Sequence, residues 1–275
     1  MSERTLWPQV TPVPLPETLG EQYGTLRAVP VYGITDDITT WQCTDAGGRV
    51  RYCKLVREGT SVPVDLADEA KRLQWCGGRL PLRTPAVVEQ AGNGNVSWLV
   101  MEEVPGEPLH RLKGSVPPAE LAACAGSALQ AFHLQSHEGC PWSARAPDLL
   151  DRAAERVRQG NIVRERDFHV EHSHLTCEEA LSLLSSDIPE GSMVLTHGDF
   201  CFPNILVDAL SRGLSGVVDL GGVAVGDPWW DLAVASWSVT WNLGPGHEDT
   251  FFAAYGVQPD RERIAWYRLA YDLVA

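Results

Sequence analysis

Around residue 200 the chain places short apolar runs beside carboxylates at a fixed spacing. Met193-Val194-Leu195 leads into Thr196-His197-Gly198-Asp199-Phe200-Cys201-Phe202-Pro203-Asn204, and Ile205-Leu206-Val207 is followed by Gly216-Val217-Val218-Asp219-Leu220-Gly221. Apolar runs this short, bounded by Gly, Asp and Asn, read as buried strands and not helices. The stretch therefore predicts a short hairpin, with Asp199 and Asn204 in the loop before it and Asp219 ending its last buried strand. Alone, Asp and Asn would be ordinary turn residues. Framed by apolar strands and joined by a second carboxylate, they make a candidate site.

The rest of the sequence divides into two textures. From about residue 30 to 105 it is strand-like, as in the alternating Val50-Arg51-Tyr52-Cys53-Lys54-Leu55-Val56 and the run Val96-Ser97-Trp98-Leu99-Val100-Met101. One helix interrupts it, Asp65 to Trp75, with Leu66, Ala70, Leu73 and Trp75 on one face and Gly77-Gly78 closing it. After Val104-Pro105-Gly106 the pattern becomes helical: Pro118 to His133, Asp148 to Gln159, Cys177 to Leu184, Trp229 to Trp241 and Glu248 to Tyr255. The expected architecture is α+β, a small β-rich lobe over 1–104 and a larger, mainly helical lobe over 105–275. Residues 1 to about 30, with Pro8, Pro12, Pro14, Pro16 and Pro30, are expected to be extended and on the surface.

Composition excludes several classes. The formal net charge of −14, with its basic residues dispersed, argues against nucleic-acid binding and favours a cationic small molecule. There is neither a signal-peptide core nor an apolar stretch long enough to span a bilayer, so a cytoplasmic location and no membrane partner are expected. The seven cysteines form no C-x-x-C pair, which argues against a disulfide framework or a cysteine zinc site, and most read as reduced, buried small hydrophobes.

Asp199 and Asn204 have the Asp-x-x-x-x-Asn spacing of a kinase catalytic loop, and Asp219 before Leu220-Gly221 resembles its metal-holding Asp-Phe-Gly. Phosphoryl transfer needs a carboxylate base, metal ions on the phosphates and a cation beside them. Asp199 then reads as the base, and Asn204 and Asp219 as oxygen ligands for Mg. His197 reads as structural, its ring bonding the loop backbone. Of the three lysines, at 54, 71 and 113, Lys54 alone lies within an apolar strand pattern. Glu69 on the next helix is its natural partner, with Asp65 and Asp68 close enough in sequence to compete.

These residues resemble the aminoglycoside phosphotransferase family, and within it the aminoglycoside 3'-phosphotransferases. The resemblance rests on His197-Gly198-Asp199-x-x-x-Pro203-Asn204-Ile205, Ser215-Gly216-Val217-Val218-Asp219-Leu220-Gly221 and Gly226-Asp227-x-x-x-Asp231-Leu232-Ala233. It extends to Glu69-Ala70-x-Arg72-Leu73-x-Trp75, Glu103-Val104-Pro105-Gly106 and the segment from Tyr255 to Leu269. It implies a protein-kinase-like fold of two lobes, the first binding nucleotide, and transfer of the γ-phosphate of ATP or GTP to an aminoglycoside hydroxyl by a monomer or weak dimer. By matched position, Tyr52 would stack on the base, Met101, Glu102 and Val104 would lie in the hinge that pairs with it, and Val218 would pack below it. A turn like Thr35-Asp36-Asp37 would lie over the phosphates.

The chain departs from that pattern on the acceptor side. Gly222 stands where the family usually has arginine, and the ending Tyr271-Asp272-Leu273-Val274-Ala275 leaves Asp272 as the candidate drug contact. The acceptor loop carries Glu165, Asp167 and Glu171 as further candidates, interleaved with arginine and histidine. A kinase for another small-molecule alcohol or antibiotic, or a nucleotide-binding pseudokinase module, are the competing expectations. His169, Glu171, His172 and His174 are too crowded for a familiar zinc spacing. Trp230, Val234, Trp237 and Trp241 recur at helical spacing and favour a packed helix face over a stacking platform. Asp227 and Asp231 are expected to cap that helix and bond the catalytic-loop backbone.

Overall fold

The computed structural model describes residues 5–6, 10–208 and 210–274; the side chains of Thr5, Leu6, Ile34 and Glu165 lie outside the described residues. These form two units, one of residues up to 79 with 84–104, the other of 80–83 with 105 onward.

The first unit is a six-stranded sheet in the order β1-β2-β3-β4-β6-β5. In chain order its elements are β1 (Thr5–Leu6), α1 (Glu17–Gln22), β2 (Thr25–Thr35), β3 (Ile38–Asp45), β4 (Val50–Arg57), α2 (Leu66–Gly77), β5 (Val87–Gly92) and β6 (Val96–Glu102). β1 runs parallel to β2 and every other pairing is antiparallel. Alternation along β4 puts Cys53 and Leu55 on one face and Tyr52 and Lys54 on the other. Cys53 and Leu55 join Val13, Leu19, Cys43 and Val100 in one buried cluster. α2 starts where Asp65 accepts the N–H groups of Ala67 and Asp68, and it buries Leu66, Ala70 and Leu73 at helical spacing.

Two expectations fail at the start of the chain. Pro8 and the residues around it lie outside the described ones, but the rest of this segment is neither wholly extended nor wholly superficial. Pro16 precedes α1, and Val13 and Leu19 are fully buried. Proline fixes φ at the entry to a helix as readily as in a loop, so its density alone did not mark irregular structure.

The second unit is mainly helical. It contains β7 (Glu107–Pro108), α3 (Pro118–His133), β8 (Ser143–Ala144), α4 (Ala146–Gln159), α5 (Arg164–Asp167), α6 (Cys177–Ser186), β9 (Val194–Thr196), β10 (Ile205–Val207), β11 (Leu214–Val217), β12 (Ala224–Gly226), α7 (Pro228–Leu243), α8 (Glu248–Tyr255) and α9 (Arg261–Val274). The strands make two small sheets, β11-β10-β7 and β8-β12-β9. α9 is a helix beyond those the periodicity predicts. It buries Trp266, Tyr267, Leu269, Ala270 and Leu273, and packs against α7, α4 and α6.

α7 is buried without a break from Trp229 to Val239, the signature of a core helix and not of an amphipathic surface one. Of the seven cysteines, Cys43, Cys53 and Cys76 are buried and the other four only half-buried, all with free thiols, so the expectation that most are buried is too strong. Among the described residues no helix is long and apolar enough to cross a membrane.

Candidate active site

The loop from Thr196 to Asn204 is held from beneath by Asp231, in the first turn of α7. Its side chain is fully buried, and its carboxylate accepts the N–H of His197 (2.6 Å), the N–H of Gly198 (2.7 Å) and a bond with His133 Nε2 (2.9 Å). Asp227 caps the same helix by accepting the Trp229 N–H at 2.9 Å and pairs with Arg263 at 2.9 Å. Burial pushes the Asp227 carboxyl up, against the Trp229 bond and Arg263. His197 is fully buried, its ring edge-on to Phe132 and Phe200. Its Nδ1 accepts the Asp199 N–H at 3.3 Å, which assigns the proton to Nε2, the atom 3.0 Å from the Val218 carbonyl. The ring thus ties the loop to the segment carrying Asp219.

Asp199 is half-buried. Asn204 Nδ2 donates to its Oδ2 and to its main-chain oxygen, both at 3.0 Å, Cys201 Sγ lies 3.7 Å from Oδ2, and the Tyr271 hydroxyl donates to Oδ1 at 3.3 Å. Burial first, and then the nearby charge of Asp219, push the Asp199 carboxyl above the usual carboxylate range. The hairpin brings the pair together: β10 and β11 pair antiparallel, and the Val218 N–H continues the ladder onto the Asn204 carbonyl at 3.1 Å. Asp219 does not end a strand, as the apolar run suggested. β11 stops at Val217, and Asp219 sits in the left-handed region at φ 61°, a conformation that Asp tolerates better than β-branched residues.

Gly222 has a steric role that the sequence pattern hid. A Cβ there would lie 2.8 Å from the His197 oxygen and 2.9 Å from Gly198 Cα. A Cβ at Gly198, whose φ is 91°, would meet Gly222 Cα at 2.7 Å. The two loops cross backbone to backbone, so an arginine at 222 would require them to separate.

In the first unit, Lys54 Nζ meets Glu69 Oε2 at 2.8 Å, with both side chains largely buried. The competing carboxylates are engaged elsewhere, Asp65 as the α2 cap and Asp68 with Arg72 at 2.7 Å. Tyr52 is two residues from Lys54 on the same face, and its hydroxyl accepts from Gln42 at 3.1 Å. Met101 opposes Tyr52 across β4 and β6, and both Met101 and Val104 are buried. Glu102 turns to Arg49 at 2.6 Å, while its N–H goes to the Ala86 carbonyl. Asp36 and Asp37 form the two-residue loop between β2 and β3.

The acceptor-side expectations need correction. Asp272 is 1% exposed, and its carboxylate is spent inside the protein on the His169 N–H (3.0 Å), His169 Nδ1 and His172 Nδ1 (2.7 Å), so it is not poised to contact a drug. Burial would raise this carboxyl, but the bonds from His169 and His172 hold it below the usual range. Asp167 is likewise consumed: it accepts the Val163 N–H at 2.9 Å and pairs with Arg166 and, at 3.5 Å, Arg156. Glu171 is 41% exposed, near His172 and Arg268. The side chain of Glu165 lies outside the described residues. His169 and His172 both direct a ring nitrogen at the Asp272 carboxylate.

Trp230, Val234 and Trp237 pack in the core, but Trp241 is 53% exposed. Tyr271, which bonds Asp199, and His133, which bonds Asp231 beneath the loop, were not singled out by the sequence, because neither belongs to a local motif and each takes its place only through tertiary contact.

A β-rich unit bearing a buried lysine–glutamate pair, and a helical unit carrying Asp199, Asn204 and Asp219 around a hairpin, define a kinase-like phosphotransferase. The sequence model of the phosphotransferase enzyme family matches residues 35–267, and the chain belongs to that family. It is 32% identical to an aminoglycoside 3'-phosphotransferase of Streptomyces fradiae over 79% of this chain and 83% of the relative. It is 27% identical to a streptomycin 3''-kinase of Streptomyces griseus over 81% of this chain and 84% of that one. A solved aminoglycoside-3'-phosphotransferase of type VIII superposes with a TM-score of 0.79 at 27% identity, covering 94% of this chain and 97% of that chain.

Proposed function

We propose that the protein transfers the γ-phosphate of ATP or GTP to a hydroxyl of an aminoglycoside, with the 3'-hydroxyl the leading candidate. The observation that carries this reading is the bonding of Asp199: Asn204 and Tyr271 orient its carboxylate, while burial and Asp219 raise its proton affinity. A carboxylate so placed can orient an acceptor hydroxyl and take its proton as the oxygen attacks phosphorus. Lys54, steadied by Glu69, would meet the nucleotide phosphates, Tyr52 would stack on its base, Met101, Glu102 and Val104 would line its hinge, and Val218 would pack against it.

The donor set suits Mg. The nitrogen of the Asn204 amide is committed to Asp199, so its oxygen is the atom it would offer a cation. Asp219 adds a second hard oxygen donor, and two protein ligands with phosphates and water completing the shell are typical of Mg. When bound, the ion neutralises phosphate charge. His197 and Asp231 hold the loop, whereas Asp227, expected to bond its backbone as well, caps α7 and pairs with Arg263; none of the three has a part in the proposed chemistry.

A second reading, a kinase for another hydroxyl-bearing antibiotic or small alcohol, is favoured by one observation: the expected acceptor carboxylates Asp272 and Asp167 are both spent internally. A panel of aminoglycosides and other alcohols, incubated with ATP or GTP and analysed by mass spectrometry with NMR of the product, separates the two. Phosphorylated aminoglycoside carrying the phosphate at the 3' position is expected. Asp199→Ala should abolish transfer while retaining nucleotide binding, and near-wild-type turnover by that variant sinks the assignment of the base.

A further inference from the structure

One aromatic side chain of the second unit stands apart from the packed face of α7. Trp237 is 4% exposed, whereas Trp241, one turn further on, is 53% exposed. A lone exposed tryptophan needs no explanation. This one is clamped in place. It stacks on the His169 imidazole at 4.9 Å and 9°, and on Trp237 at 5.5 Å and 22°. His169 lies 3.9 Å from Trp237 and is held by the buried carboxylate of Asp272 through both its N–H and its ring. Asp272 also binds His172, which fixes the turn that follows His169. An exposed ring is thus supported from below by a buried ionisable group, the arrangement that keeps an exposed contact surface rigid.

The same wall leads to the candidate base. Tyr271 lies edge-on to Trp237 at 6.3 Å and 78°, and 6.3 Å from His169, while its hydroxyl reaches Asp199. Aromatic packing therefore runs, within one unit, from Tyr271 beside Asp199 through the buried Trp237 to an exposed face at Trp241. We infer that it is an acceptor subsite in which the exposed face of Trp241 stacks on a ring of an amino sugar. This rests on the phosphotransferase reading above.

The chemistry is complementary. Pyranose and aminocyclitol rings present C–H faces that pack on an indole, and an ammonium beside the ring is drawn to its π-face. Glu171, 41% exposed and within 3.8 Å of Arg268 and 3.5 Å of His172, adds a carboxylate to the same neighbourhood. Arg268 lies over Trp237, the inner indole, at 5.0 Å. The subsite also accounts for the spent carboxylates: Asp272 contributes by fixing the stack and not by touching the ligand.

The test is calorimetric binding of kanamycin and, separately, of ATP to the wild type, Trp241→Ala and Trp241→Phe, with thermal melts as a check on folding. Kanamycin affinity should fall about fivefold to tenfold in Trp241→Ala and less in Trp241→Phe, with ATP affinity within about twofold of wild type. Wild-type kanamycin affinity in a folded Trp241→Ala overturns the subsite, and the function reading survives if that variant still phosphorylates the drug. Conversely, a wild type that binds kanamycin through Trp241 but never phosphorylates it sinks the function reading and leaves the subsite standing. No measurable kanamycin binding by the wild type overturns the subsite.

Discussion

At the scale of single residues, Asp199 is held in a state that costs stability. Its folded pKa lies above the unfolded value, first through burial and then through Asp219, so the fold binds this proton more tightly than the unfolded chain does. The sign follows: stability falls as pH rises from about 4 through the raised folded pKa, and stays lower beyond it. Asp199→Asn should lose phosphotransfer, and its melting temperature relative to wild type should rise as pH goes from about 4 to 8 in parallel scanning calorimetry. Gly222 acts by steric absence. Gly222→Ala would force a Cβ to within 2.8 Å of the His197 oxygen, and steady-state kinetics should show kcat reduced by about a hundredfold as the loop shifts by a fraction of an ångström.

At the scale of elements, buried carboxylates join helices to loops. Asp231 ties α7 and α3 to the catalytic loop, and Asp272 ties α9 to the segment around His169. Asp272→Ala should destabilise the fold by about 3 kcal/mol at neutral pH by urea denaturation, because it strands two imidazoles and a backbone N–H. The Asp272 pKa is depressed in the fold, so this contribution is present above the unfolded carboxylate pKa and is lost as pH falls through the folded one. The gap between wild type and variant should narrow accordingly on acidification. Helix boundaries were legible from apolar period and Pro/Gly punctuation at α3 and α8, which run as the sequence predicts without a side-chain N-cap, and from its Asp65 cap at α2. α9 was not legible from periodicity although Asp260, whose carboxylate accepts the Arg263 N–H at 3.1 Å, offers it an N-cap; its aromatic residues pack on several elements at once and leave no narrow apolar stripe.

At the scale of the whole molecule, charge is the quantity that sequence delivers without ambiguity. A net charge of −14 should attract a polycationic acceptor, so its KM should rise several-fold between about 50 and 300 mM salt while the kcat for transfer changes little. An acceptor KM insensitive to salt would remove steering as an explanation of the acidic surface. The sequence by itself determined the fold class and singled out the groups proposed to react. Strand and helix periods, and the spacing of Asp199, Asn204 and Asp219, are local properties that survive without knowledge of any long-range contact. Tertiary structure alone decided what each acidic residue is used for. Glu69 rather than Asp65 or Asp68 meets Lys54, Asp272 and Asp167 turn inward to histidine and arginine, and Tyr271 reaches Asp199 across 72 positions of sequence. The physical reason is that a carboxylate's role depends on which donors approach it and how deeply it is buried, and both are set by packing between segments that no local pattern connects.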